Sequence, residues 1–279
     1  MRFDAYAASV RDVEFPRVVD TLAASLGAMP YAGKPMRRYG EVVRLDKNGT
    51  LAGWVGWDTA NGMVFLEGKG EHTPAWVKAT RVHFPHHTVA RADVCEDYNS
   101  PEAFGQLIGT IKKAKGPKVW SGYVALPDDA SEGRTWAAGK RGNGSPAYIR
   151  VYEAGKHPDR VHLAMPDLVR FEAEFHPHYA ADKAKAATLQ PIEFFGLSAW
   201  TQRVGEAVTQ CPIERFEAPI RQFTHDKTTL YLARTFARFW ETSMADGIDW
   251  YATVREILAE DARVAEEWQK ANQRRGRAH

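Results

Sequence analysis

Three short stretches of this chain carry side chains that could handle a phosphodiester, each on one side of an alternating pattern. In Ala147-Tyr148-Ile149-Arg150-Val151-Tyr152-Glu153, the β-branched Ile149 and Val151 alternate with Tyr148, Arg150 and Tyr152. That is the period of a strand. Side chains two apart share a strand face, so one face is apolar and the other reads tyrosine, arginine, tyrosine. Over Val89–Asp97, Arg91, Asp93, Cys95 and Asp97 share a face, and over Leu168–Phe175 so do Arg170, Glu172 and Glu174. Arginine matches phosphate oxygens in a bidentate fork, and a tyrosine hydroxyl is a nucleophile once activated. Its unperturbed pKa of about 10 means that an adjacent cation or base must help. Should the three strands join one sheet, the face gathers up to four carboxylates, three arginines and two tyrosines. Oxygen ligands at that density suit Mg²⁺ or Mn²⁺, which would polarise a phosphate. Any one strand alone reads more readily as a solvated face laced with ion pairs; three together favour function.

Other candidates are plainer. His83, His86 and His87 precede the Arg91 stretch, and His176-Pro177-His178 follows Glu174. The second group imitates a metal-binding His-hydrophobic-His pair, but Pro177 ends the strand, so these read as loop histidines. Gly68-Lys69-Gly70 and the glycines of 139–144 fit neither a phosphate-binding loop nor a dinucleotide fingerprint. They read as turns in which Lys140 and Arg141 could touch a phosphate backbone. The run Lys112–Lys118 suits a helix C-terminus, where the dipole favours cations.

The elements that must position these groups follow from periodicity. A first strand is expected over 2–10, with Phe3, Ala5 and Ala7 on one side and Asp4 and Tyr6 on the other. Val18, Val19, Leu22 and Leu26 predict a helix over 15–26. Strands and turns fill 39–66, with hairpin signals at Asn48-Gly49 and Asn61-Gly62. Helices are expected over 75–82 and 101–114, and strands over 119–124 and 135–138. Beyond about 180 the pattern is helical, with apolar stripes at Leu230, Ala233, Phe236, Ala237 and Trp240, then at Tyr251, Val254, Leu258, Ala265 and Trp268. A small basic tail, Arg274-Arg275-Gly276-Arg277, follows, and the sequence shows no internal repeat. The fold class is α+β: a central antiparallel sheet flanked by helices over 1–200, then a C-terminal helical region over 201–279.

Composition sets the remaining bounds. The 279 residues are 44% hydrophobic and 26% charged, which is ordinary for a soluble globular chain. With a net charge of +2, any basic nucleic-acid surface must be local. Two cysteines, Cys95 and Cys211, are too few for a disulfide framework or a cysteine zinc site. Neither a signal peptide nor a membrane span is expected, and the expected location is cytoplasmic.

Four segments, in order, resemble the rolling-circle replication initiators of the replication initiation factor (Rep_trans) type found on plasmids and filamentous phages, with relatives among conjugative relaxases. They are GMVFLEGKG at 62–70, VARADVCEDY at 89–98, TWAAGKRGNGSPAYIRVYEAGK at 135–156 and LVRFEAEFHP at 168–177. The resemblance covers roughly 1–180 and, more weakly, 225–260. It implies a metal-dependent DNA-nicking and strand-transfer enzyme in which Tyr152 attacks a phosphodiester at a double-stranded origin. A 5′-phosphotyrosyl link and a priming 3′-OH would result. It assigns Asp93 and Glu172, helped by Asp97 or Glu174, to Mg²⁺ or Mn²⁺. Arg150 joins Tyr152 in the catalytic pair, and Arg91, Arg170, Lys140, Arg141 and Lys156 face DNA or phosphate. Tyr148 is the rival nucleophile on the same face. Ala154 stands where relatives place lysine, so that role either passes to Lys156 or is absent, and the turn GKRGNGS is looser than the usual Gly-Ser-Arg-Lys-Ser. Implied partners are origin DNA, including an origin hairpin, a host helicase and a second copy of the chain. Alternatives are a conjugative-element relaxase with the same chemistry and a catalytically idle DNA-binding regulator.

Overall fold

Ten antiparallel strands form one sheet in the computed structural model, which describes residues 1–35, 39–127, 132–141, 145–157 and 165–216 with positions 247, 249, 256 and 259. The chain divides into two compact units, Met1–Ala218 and Pro219–His279. The residues of the two expected C-terminal stripes, the basic tail and positions 142–144 of the glycine-rich turn lie outside the described residues. Among those described, no helix is long and apolar enough to cross a membrane.

In the first unit, β1 (Arg2–Arg11) leads into α1 (Phe15–Leu26), then β2 (Met29–Ala32), β3 (Glu41–Lys47), β4 (Thr50–Asp58) and β5 (Met63–Lys69). After α2 (Thr73–His83) the sequence of elements starts again: β6 (Thr88–Asn99), α3 (Glu102–Ala114), β7 (Ser121–Ala125), β8 (Thr135–Gly139), β9 (Ala147–Tyr152) and β10 (Leu168–Phe175). Two short helices follow, α4 (Ala180–Lys185) and α5 (Ala199–Thr209), with a 3-10 stretch at Pro191–Leu197 between them. The strand order is β2-β3-β4-β5-β1-β6-β10-β9-β8-β7. Each half is therefore a long strand, a helix and a four-strand meander that returns beside the long strand, with β1 and β6 antiparallel at the centre. The sequence shows no repeat, yet the topology does.

One face of the sheet is the core. Tyr6, Ala8, Val10, Val64, Leu66, Ala92, Val94, Ile149, Val151, Val169, Phe171 and Phe175 form one buried cluster with Val18, Leu22, Trp76, Phe104, Leu107 and Ile111 of the helices. Full burial of such side chains stabilises by about 1.5–3 kcal/mol each. Two glycines let α2 approach: a Cβ on Gly53 or Gly68 would meet the Trp76 ring at 2.5 or 2.4 Å. The hairpin at Asn48-Gly49 has φ of 52° and 80°, the left-handed pair that a two-residue turn requires.

The expected alternation fails near the start of β1. β1 is irregular between Phe3 and Ala5, and a bulge shifts the faces on either side of the extra residue. Phe3 consequently shares the core with Tyr6, at a ring separation of 5.5 Å. Asp4 instead reaches the second face, where it meets Arg170. The edge strand β2 was absent from the expected elements; its four residues are all exposed, so no burial pattern marks it.

Candidate active site on the second face

Register decides whether the three charged stretches meet, and they do. β10 lies between β6 and β9. Across one side, Arg170 pairs with Asp97, Glu172 with Cys95 and Glu174 with Asp93. Across the other, Arg170 pairs with Tyr152, Glu172 with Arg150 and Glu174 with Tyr148. Side chains directly opposite on neighbouring strands stand about 4.5–5.5 Å apart at Cβ, so the face forms one charged layer with two centres.

The first centre is built round Tyr152 at the end of β9. Its hydroxyl donates to Glu172 Oε2 at 3.0 Å, while Glu172 Oε1 accepts from Arg150 Nη2. The Arg150 guanidinium lies 5.8 Å from the Tyr152 ring centroid. Behind them Arg170 is 2% exposed. Its Nε and Nη2 donate to the Asp97 carboxylate at 2.6 and 2.8 Å, and Nη1 donates to Asp4 Oδ1 at 3.0 Å. Arg2 adds a further bond to Asp97 at 2.8 Å. Burial opposes the Arg170 charge, but the Asp97 bonds and the Asp4 carboxylate outweigh it and raise its pKa. Burial likewise pushes on Asp97, and the bonds from Arg170 and Arg2 win, holding that carboxyl at about 2. A fixed positive charge thus lies beside Tyr152.

The second centre is built round Asp93 and Glu174. Arg91 donates from Nε and Nη2 to Asp93 at 2.7 and 2.5 Å, and its Nη2 is 3.3 Å from Glu174 Oε2. Glu174 also accepts from Arg141 at 3.3 Å and pairs with His176 Nε2 at 2.8 Å. Burial raises the Asp93 carboxyl to about 6 despite Arg91, and the neighbouring Glu172 and Glu174 add to the rise. For Glu174 burial acts upward too, but His176, Arg91 and Arg141 together hold it at about 2. Tyr148 sits here, 8% exposed, with the Arg141 guanidinium 5.8 Å from its ring centroid. Tyr152 is the less buried of the two tyrosines.

The structure thus brings together Tyr152, Arg150, Glu172, Arg170 and Asp97 in one centre and Arg91, Asp93, Glu174, Arg141 and Tyr148 in the other. Lys140 is exposed just past β8. Lys156 is apart from both centres: its ammonium lies 3.2 Å from Glu153, which also takes three bonds from Arg134 and is held near 2 chiefly by them against burial. Three residues that sequence reasoning left out belong to the layer, namely Arg2, Asp4 and His176. Strict alternation puts Asp4 on the side of Tyr6, and His176 is the loop residue expected just past β10, yet its ring still reaches Glu174.

The carboxylates expected to hold Mg²⁺ or Mn²⁺, Asp93 and Glu172 with Asp97 or Glu174, each face a guanidinium. Among the described residues no three His, Cys, Asp or Glu side chains are grouped so as to hold an ion. As placed, the charge that meets these carboxylates is arginine.

No protein-family model matches the chain, and no curated protein matches it. A solved structure of a rolling-circle replication initiator protein from Geobacillus stearothermophilus aligns with a TM-score of 0.49 at 14% identity, covering 77% of this chain and 98% of that one.

Proposed function

We propose that this chain is a DNA-nicking replication initiator that opens one strand of a double-stranded origin through Tyr152. One observation carries the reading: the Tyr152 hydroxyl donates to Glu172 while two guanidinium groups, of Arg150 and Arg170, flank the same phenol. A phenol needs a base to take its proton and a cation to stabilise the resulting oxyanion, and this placement offers both. Glu172 takes the proton from Oη. The phenolate oxygen bonds to phosphorus, the bond from phosphorus to the 3′-oxygen breaks, and that oxygen leaves as a 3′-hydroxyl with a proton from solvent, to which Glu172 returns its own. The 5′-phosphate stays on Tyr152 as an ester, so the bond energy is retained for rejoining without ATP. Arg150, whose side chain is 26% exposed, would orient the phosphate. Arg170 is buried and serves the phenol rather than the DNA. Arg91, Arg141 and Lys140 would add backbone contacts, which position DNA without reading its sequence. A host helicase, a second copy of the chain and a divalent cation stay part of the proposal through the sequence resemblance.

A second reading has its own support. Every carboxylate of the layer is already matched by arginine, which is also what a self-satisfied ion-pair surface that binds DNA without cutting it would show.

The decisive assay incubates the full chain with a supercoiled plasmid bearing the origin of its own genetic element, with Mg²⁺ or Mn²⁺ or with a chelator. A nicked circle with protein covalently on the 5′ end is expected, absent from Tyr152→Phe and unchanged in Tyr148→Phe. Nicking that survives in Tyr152→Phe but not in Tyr148→Phe would move the nucleophile to the second centre. Binding without nicking in every arm would leave the idle regulator.

A further inference from the structure

We propose that the second face of the first half, over β4 and β5, is a stacking platform for single-stranded DNA. The proposal extends the nicking reading above to the strand flanking the cut phosphate. Trp54 and Phe65 are partly exposed there, with ring centroids 5.0 Å apart at 36°. Tyr39 stacks on Phe65 at 5.3 Å and 28°. Trp54 and Tyr39 lie over Gly56, where an added Cβ would meet Trp54 Cζ3 at 2.9 Å and Tyr39 Cγ at 3.0 Å. The backbone is bare at that point because the rings occupy the space. Trp54 is fixed by its Nε1, which donates to Glu67 Oε2 at 3.0 Å. Aromatic side chains on a sheet face are how single-stranded nucleic acid is held, because every base has a π-face but only an unpaired one offers it.

Cations frame the rings. Arg44 is the register partner of Trp54, and Lys69 lies two residues beyond Glu67 on β5. Their side chains are 51% and 46% exposed, and their ion pairs are long, at 3.5 Å to Asp46 and 3.6 Å to Glu67. Exposed pairs of that kind contribute little and can exchange for phosphate. Between the platform and the charged layer, β1 shows Ala5, Ala7 and Ser9, pairing with Asp93, Arg91 and Thr88. Small side chains keep that crossing low. β4 and β9 are five strand spacings apart, roughly 24 Å at about 4.8 Å each. That span suits the roughly 4–16 nucleotides that a single-strand groove covers. The cluster could otherwise exist only to cover Gly56, since aromatic rings rescue glycines in sheets.

A fluorescein-labelled ten-nucleotide oligo-dT, titrated by anisotropy into the full chain, separates the two. Trp54→Ala and Phe65→Leu are each expected to weaken binding about fivefold to a hundredfold. Trp54→Phe, which keeps a ring, should recover most of the loss. The duplex of the same length should bind more weakly than the single strand. Affinities within twofold of wild type in both Trp54→Ala and Phe65→Leu, with melting temperatures unchanged, would overturn the proposal. So would equal affinity for duplex and single strand. If Trp54→Ala fails to fold, Phe65→Leu decides. Anisotropy reads the oligonucleotide and the origin plasmid reads nicking, so stacking and nicking are measured separately. Ring-dependent binding in a chain that nicks no origin keeps the platform and removes the chemistry; nicking with ring-independent binding does the reverse.

Discussion

The two halves of the sheet share a topology and differ in almost every side chain on the second face. In the first half Trp54 pairs with Glu67, and one step along the ladder Gly56 pairs with Phe65. In the second half Arg150 pairs with Glu172, and one step along Tyr152 pairs with Arg170. Matched on their glutamates, the halves place a bare glycine where the phenol stands and an aromatic ring where the buried guanidinium stands. Long strand, helix and meander are thus enough to build the scaffold, and they say nothing of the chemistry. Function is set by the few positions that point away from the core.

That comparison breaks most sharply at the two glutamates. On the proposed mechanism Glu172→Gln removes the general base for Tyr152, so nicking should fall about 10²–10⁴-fold, the usual range for such a group. Glu67→Gln, at the matching position, should leave nicking within about twofold. Single-turnover nicking of a plasmid substrate measures both. Equal losses would show that the halves act as one surface and that the matching is superficial.

Stability should divide the halves as well. Arg170→Met strips the positive charge from Asp97 and Asp4. Removing one partner of a buried ion pair is expected to destabilise by about 3–5 kcal/mol. Arg44→Met removes a loose surface pair with Asp46 and should change stability by no more than about 0.5 kcal/mol. Urea unfolding monitored at the tryptophans gives both values. A small effect at Arg170 would mean that Asp97 and Asp4 find water or another cation once it is gone.

Much of this architecture is legible in the residues, and the gaps have physical causes. Alternation in 89–97, 147–152 and 168–175 names the residues that share a face of each strand, because side-chain direction has period two. It cannot name which strand lies beside which. That Glu172 stands between Cys95 and Arg150 depends on pairings between residues far apart in sequence. The bulge at Asp4 was invisible for a related reason: one extra residue reverses the faces without changing composition. Burial of Arg170 was not legible either, since nothing in Leu168–Phe175 shows that two carboxylates from β1 and β6 close over it. The topological repeat left no trace because each half meets the same apolar pattern with different residues, and pattern rather than identity fixes the layer.

A pH-dependent effect concerns Asp93, whose counterpart position across the central ladder is Ala5. Burial raises its carboxyl to about 6, above the ordinary value of about 3.9 for the unfolded chain. Between those values the folded protein holds more protons than the unfolded one, so this group's contribution to stability falls as pH rises from about 4 to about 6. Asp97 and Glu174, both held at about 2, act in the other direction and in another window. Their contribution is complete above about 4 and is lost as pH falls towards 2. Asp93→Asn cannot titrate, and Arg91 keeps Glu174 as a partner in the variant. The difference in unfolding free energy between Asp93→Asn and wild type should therefore move in favour of the variant by about 1–3 kcal/mol across pH 4–6 and stay flat from pH 6 to 8. A difference that is flat throughout would mean that Arg91 keeps Asp93 ionised in the folded state, and that the second centre, like the first, carries its full complement of charge at every pH where the protein is folded.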